Sequence, residues 1–111
     1  MTRVVRQIAL MGLLVSFHAG GAWAQEVGHA GAGLALARKI CSECHAIERT
    51  QTLSPNAAAP RFETIANVPG MTGTALSAAL LTPHPTMPNV MLDATELSDI
   101  VAYFLSLKRM N

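Results

Sequence analysis

The chain has 111 residues, enough for one domain with a small core. It carries 8 Lys and Arg against 7 Asp and Glu, a formal charge of +1, and only two cysteines. That balance excludes the dense basic patch that nucleic acid or an anionic membrane surface rewards, and two cysteines exclude a disulfide framework.

Residues 1–24 read as a secretory signal peptide. Arg3 and Arg6 make a basic start, residues 8–17 an apolar run broken by Gly12 and Ser16, and Ala22-Trp23-Ala24 an A-x-A cleavage site before Gln25. The run is well short of the roughly 20 apolar residues of a spanning helix. Cleavage after Ala24, export to the periplasm and no stable membrane insertion are therefore expected. Residues 25–111 form the mature domain, in which loss of Arg3 and Arg6 leaves 6 basic against 7 acidic residues. Its aromatics are Phe62, Tyr103 and Phe104 alone. A core this poor calls for a large buried cofactor.

Residues 29–40, HAGAGLALARKI, place Leu34, Ala37 and Ile40 at helical spacing with Arg38 and Lys39 on the other side, which predicts a helix running into CSECH at 41–45. Residues 48–60 are rich in Ser, Thr, Asn, Ala and Pro and read as loop. Thr72-Gly73-Thr74 opens ALSAALL, a short helix stopped at Thr82-Pro83. The segment TPHPTMP, 82–88, has three prolines in seven residues and is predicted to be stiff and extended, not helical. Asp93 and Glu96 form a capping box for an amphipathic helix over 94–108, with Lys108 and Arg109 closing its last turn. No strand-like alternation occurs, and there are no internal repeats.

Three chemistries use C-x-x-C. A thioredoxin-like dithiol needs a βαβ setting, and a structural zinc site needs four ligands, whereas the mature chain adds only the isolated His29 and His84. Covalent haem attachment needs only what is present. On a helical turn Cys41 and Cys44 lie at i and i+3 and reach the two vinyl groups of one porphyrin, while His45 directs a ring nitrogen to the iron. Met87 follows His45 by 42 residues, inside the proline-stiffened loop. A gap-filling methionine gains nothing from three prolines, whereas a sulfur that must stay on iron does; His45 and Met87 are the expected axial ligands. Met91 is the reserve candidate, Met71 and Met91 otherwise packing residues. His84 is expected to be an exposed loop histidine.

With these motifs in order, residues 29–108 resemble the small class I c-type cytochromes: an N-terminal helix, CSECH, a Pro-containing loop, a short helix, the TMPN ligand loop and an aromatic C-terminal helix ending IVAYFLSL. The resemblance implies an all-α fold of the class I type, three to four helices around one covalently bound haem c. It further implies that Pro60, in APRF, offers its carbonyl to the proximal imidazole, with Pro55 as rival because Ala59 stands where many members have glycine. Phe62 would lie against the haem, and Gly33 and Tyr103 would meet where the terminal helices cross. Arg61 would pair with a haem propionate or stand as a solvated loop residue. The implied function is that of a periplasmic, monomeric one-electron carrier serving redox proteins such as a dehydrogenase, a cytochrome complex or an oxidase, and not an enzyme. The alternative is a haem peroxidase or gas-ligand sensor in which the methionine is displaced.

Overall fold

A computed structural model of the chain describes residues 27–110; the proposed signal peptide lies outside them. Four helices follow one another: α1 (Ala30–Ile40), α2 (Phe62–Ala66), α3 (Gly73–Leu81) and α4 (Ala94–Ser106). Among the described residues there is no strand, only one isolated bridge between His84 and Met87, and no helix is long and apolar enough to cross a membrane.

The fold is organised on α4. Its capping box is complete, with Glu96 N donating to Asp93 Oδ1 at 2.8 Å and Asp93 N to Glu96 Oε2 at 3.1 Å, so two orphan amides of the first turn are satisfied. From it Ile100, Tyr103 and Phe104 enter the core with Ala37, Ile47, Phe62, Ala66, Leu76 and Leu107. Helices α1, α2 and α3 each pack on α4 and not on one another. The consequence is a fold with a common back wall and a gap between the other helices.

The α1–α4 crossing is made by absent side chains. An ideal Cβ on Gly33 would lie 2.0 Å from Asp99 O and 2.8 Å from Tyr103 Cβ, and one on Gly28 1.9 Å from Ser98 O. Only glycine allows the backbones this close. The contact is fastened by His29 N donating to Asp99 Oδ1 at 2.6 Å and by Tyr103 Oη donating to Ile47 O at 2.7 Å.

Three details differ from the sequence reading. The short helix α2 falls where no element was expected; five residues are too few to show a period. Helix α4 ends at Ser106 and not at 108, because the next two amides turn to carbonyls three residues back, Leu107 N donating to Phe104 O at 3.0 Å and Lys108 N to Leu105 O at 3.2 Å, while Ser106 Oγ donates to Tyr103 O. The open carbonyls at this end accept from Asn67 Nδ2, on Leu107 O, and from Arg49 Nη2, on Ser106 O and Lys108 O. Lys108 and Arg109 thus do not close the last turn. Lys108 Nζ donates to Met71 O, and Arg109 N to Asn67 Oδ1 at 2.8 Å, tying the chain end to α2 and the approach to α3. The 82–88 segment is non-helical as expected but not fully extended, since it folds back in a turn closed by Met87 N donating to His84 O at 3.3 Å.

Candidate haem site

Residues 41–45 leave α1 as one more helical turn, with Cys44 N and His45 N both donating to Cys41 O at 3.2 and 2.9 Å. That turn sets Cys41 and Cys44 at the i, i+3 spacing of one helix face. Both thiols are free and half-buried, and burial pushes the Cys41 thiol up to about 11. A thiol held in its neutral form is a poor redox nucleophile or metal ligand, both of which use the thiolate. Among the described residues no group of three or more His, Cys, Asp or Glu could hold a metal ion.

His45 is buried, and its Nδ1 lies 2.7 Å from Pro60 O. A carbonyl only accepts, so Nδ1 carries the proton and Nε2 is left with a free lone pair. The bond identifies Pro60, and not Pro55, as the proline in contact with the imidazole. Phe62 packs on the same ring at 5.4 Å between centroids and stacks on Phe104 at 4.0 Å. Ring orientation is therefore fixed from two sides.

Sequence reasoning missed what holds this turn in place. The chain leaving His45 cannot pair as helix or strand, and the 48–60 loop supplies its partners instead. Ser54 Oγ accepts from Ala46 N, Gln51 Oε1 from both Ile47 N and Glu48 N, Asn56 N donates to Cys44 O, and Phe62 N to Ala46 O. The signal available was the loop's Gln, Ser and Asn content, side chains able to cap backbone over short separations.

The gap between helices is a cleft of about 390 Å³ lined by Cys41, Cys44, His45, Pro60, Phe62 and Met87, with Ile65, Leu76, Leu80 and Phe104 among its apolar walls. His84 also lines it, although the residue is exposed at the surface as expected. Met87 is half-buried, whereas Met91 is 90% exposed and lines a neighbouring hollow instead. Met91 is thus neither a packing residue nor a cleft residue, while Met71 packs against the core as expected. Arg61 is neither solvated nor free: its Nη2 pairs with Glu63 Oε2 at 2.8 Å, and its buried Nε has no partner.

The donor set suits a flat apolar macrocycle with a central metal. Two free thiols lie at one spacing, one imidazole has one ring nitrogen anchored, one thioether lines the same cleft, and the walls are largely apolar. The chain is 36% identical over 104 residues to cytochrome c-552 of Bradyrhizobium diazoefficiens, which covers 94% of this chain and 95% of that protein. No family model matches the chain, and no solved structure does.

Proposed function

The chain belongs to the small c-type cytochromes, haem proteins of electron transfer with an all-α fold of the class I type, and on that footing we propose that it is a periplasmic one-electron carrier with a single covalent haem. Cys41 and Cys44 would form the two thioethers, each thiol adding across a vinyl group so that sulfur bonds one carbon and the proton goes to the other. His45 Nε2 and Met87 Sδ would be the axial ligands, and Pro60 and Phe62 the environment of the proximal one. The haem, when bound, supplies an iron that exchanges one electron between ferrous and ferric forms.

The observation that carries this reading is the His45–Pro60 bond. By anchoring Nδ1–H it fixes tautomer and ring plane and makes Nε2 a stronger donor. Phe62, Ile65, Leu76, Leu80 and Phe104 line the cleft with apolar side chains, which would keep water from a bound haem and limit the reorganisation that accompanies a change of charge. The Met87 thioether, a soft ligand, favours the ferrous state and raises the potential. Export and cleavage after Ala24 belong to the same reading, as does a redox protein as partner.

The test is expression of the full chain in a host that attaches haem. One haem per chain should resist acid-acetone extraction, and the ferric protein should show the weak long-wavelength band of sulfur ligation, lost in Met87→Ala together with a lowered potential. Haem that extracts freely, or a folded colourless protein, would overturn the proposal. Slow or absent carbon monoxide binding by the ferrous protein separates the carrier from the peroxidase or gas-sensor alternative.

A further inference from the structure

The turn that carries Met87 presents a second ligating side chain. His84 and Met87 pair as an antiparallel bridge, closed by Met87 N donating to His84 O at 3.3 Å, with Pro85 and Thr86 between them. Residues paired in this way project their side chains to the same face, with Cβ atoms about 4.5–5.5 Å apart. Both side chains line the cleft that also contains Cys41, Cys44 and His45. The His84 imidazole makes no hydrogen bond or ion pair among the described residues, so no contact has to be broken to release it. Pro83 and Pro85 restrict its backbone on both sides. Residues 64–92 contain no lysine, arginine or acid, which leaves His84 as the strongest nitrogen base of the segment.

From this placement we infer that His84 is the reserve sixth ligand of the ferric iron, taking the position whenever the Met87 sulfur is off it. The inference rests on the reading of Met87 as the resident ligand. In the exchange an Fe–S bond breaks and an Fe–N bond forms; the imidazole donates a lone pair, and no electron is transferred. The direction follows from ligand character. A thioether is the softer donor and holds ferrous iron better, whereas imidazole suits the harder ferric ion. Because the two Cβ atoms of such a pair are so close, the turn has to shift by only about one residue-pair spacing, roughly 5 Å. One consequence is chemical protection: an iron that loses its methionine is recaptured by the chain instead of being left open to peroxide or small ligands.

Three holoproteins decide the matter: the unmodified chain, Met87→Ala and the double variant Met87→Ala/His84→Ala. Each is examined in the ferric state by electron paramagnetic resonance and near-infrared magnetic circular dichroism under one set of conditions. The expected result is histidine–methionine ligation in the unmodified chain, a low-spin bis-imidazole signal in Met87→Ala, and loss of that signal to a high-spin form in the double variant. Met87→Leu, which keeps more of the side-chain volume, serves if the alanine variant does not retain haem. A high-spin Met87→Ala beside an unmodified protein with methionine ligation would overturn the reserve-ligand inference alone. An unmodified protein without methionine ligation would overturn the reading of Met87 and the inference with it.

Discussion

Gly33→Ala is the sharpest test of how this fold is assembled. The new methyl group would lie 2.0 Å from Asp99 O and 2.6 Å from Asp99 C, against 3.4 Å for ordinary contact. The shortfall is 1.4 Å at the oxygen, and because both atoms are backbone, no side-chain rotation relieves it. Helix α4 has to move bodily, which loosens the Tyr103–Ile47 hydrogen bond and the His29–Asp99 contact together. Overpacking of this kind costs about 1–3 kcal/mol, and backbone involvement argues for the upper end. The intrinsic helix preference of alanine over glycine returns about 1 kcal/mol. The net loss is then about 2 kcal/mol, a fall in Tm of roughly 8–16 °C for a domain of this size. Gly31→Ala is the matched control, in the same helix but exposed, with only His29 Nδ1 within reach at 3.7 Å. It should gain stability, by up to about 1 kcal/mol. Thermal unfolding of both holoproteins, followed at the haem and by far-ultraviolet circular dichroism, gives the comparison. Equal stabilisation by the two substitutions would refute the close crossing and with it the role of α4 as common wall.

Further outcomes follow from other contacts. Tyr103→Phe leaves the buried Ile47 carbonyl without its donor and should cost about 1–3 kcal/mol in urea unfolding. Burial, and after it the charge of Glu48, raises the Tyr103 phenol above its ordinary value. Its contribution is therefore complete below the unfolded value near 10 and is lost as pH rises through the folded one. The stability gap between the unmodified chain and Tyr103→Phe should accordingly shrink above about pH 10, and a gap that widens would contradict the assignment. Asp93→Ala removes one half of the capping box and should cost about 1 kcal/mol, read as a Tm lower by roughly 4–8 °C. Residues 50–60 and 64–92, which supply much of the cleft rim, contain no Asp, Glu, Lys or Arg. Electron transfer to a physiological partner should consequently depend weakly on ionic strength; a steep decline between low and physiological salt would show steering by charges elsewhere.

What the sequence makes legible divides along physical lines. Periodicity reaches α1, and start signals reach α3 and α4: Thr72 accepts from Ala75 N as a cap, and Asp93 and Glu96 complete their box. The proposed haem-holding residues Cys41, Cys44, His45 and Met87 stand out in the sequence because ligation chemistry demands those residue types, and all four line one cleft. What is not legible depends on contacts far apart in the chain. Helix α2 has no period of its own and exists because Phe62 is drawn onto Phe104 while Phe62 N pairs with Ala46 O. The end of α4 is held by Asn67 and Arg49, which donate to Leu107 O and Ser106 O from 40 and 57 residues away. Arg61 could not be assigned because its partner, Glu63, lies on the same short helix that the sequence concealed.

The same long-range contacts explain why a chain so poor in aromatics can hold a large cofactor. Three helices that touch α4 but not one another leave their inner faces uncovered, and the half-buried Ile65 and Leu80 pack on the core while also lining the cleft. A macrocycle entering the cleft would cover that remaining apolar surface, so its binding free energy is also folding free energy. Replacing both Cys41 and Cys44 by Ala should thus do much more than turn the holoprotein into a colourless copy of itself. Without covalent attachment, the mature chain should lose most of its helical circular dichroism at 25 °C, since α2 and α3 pack against no helix besides α4. A cooperatively unfolding, fully helical double variant free of haem would show that the four helices suffice by themselves, and that the cleft is a preformed socket and not an unfinished core.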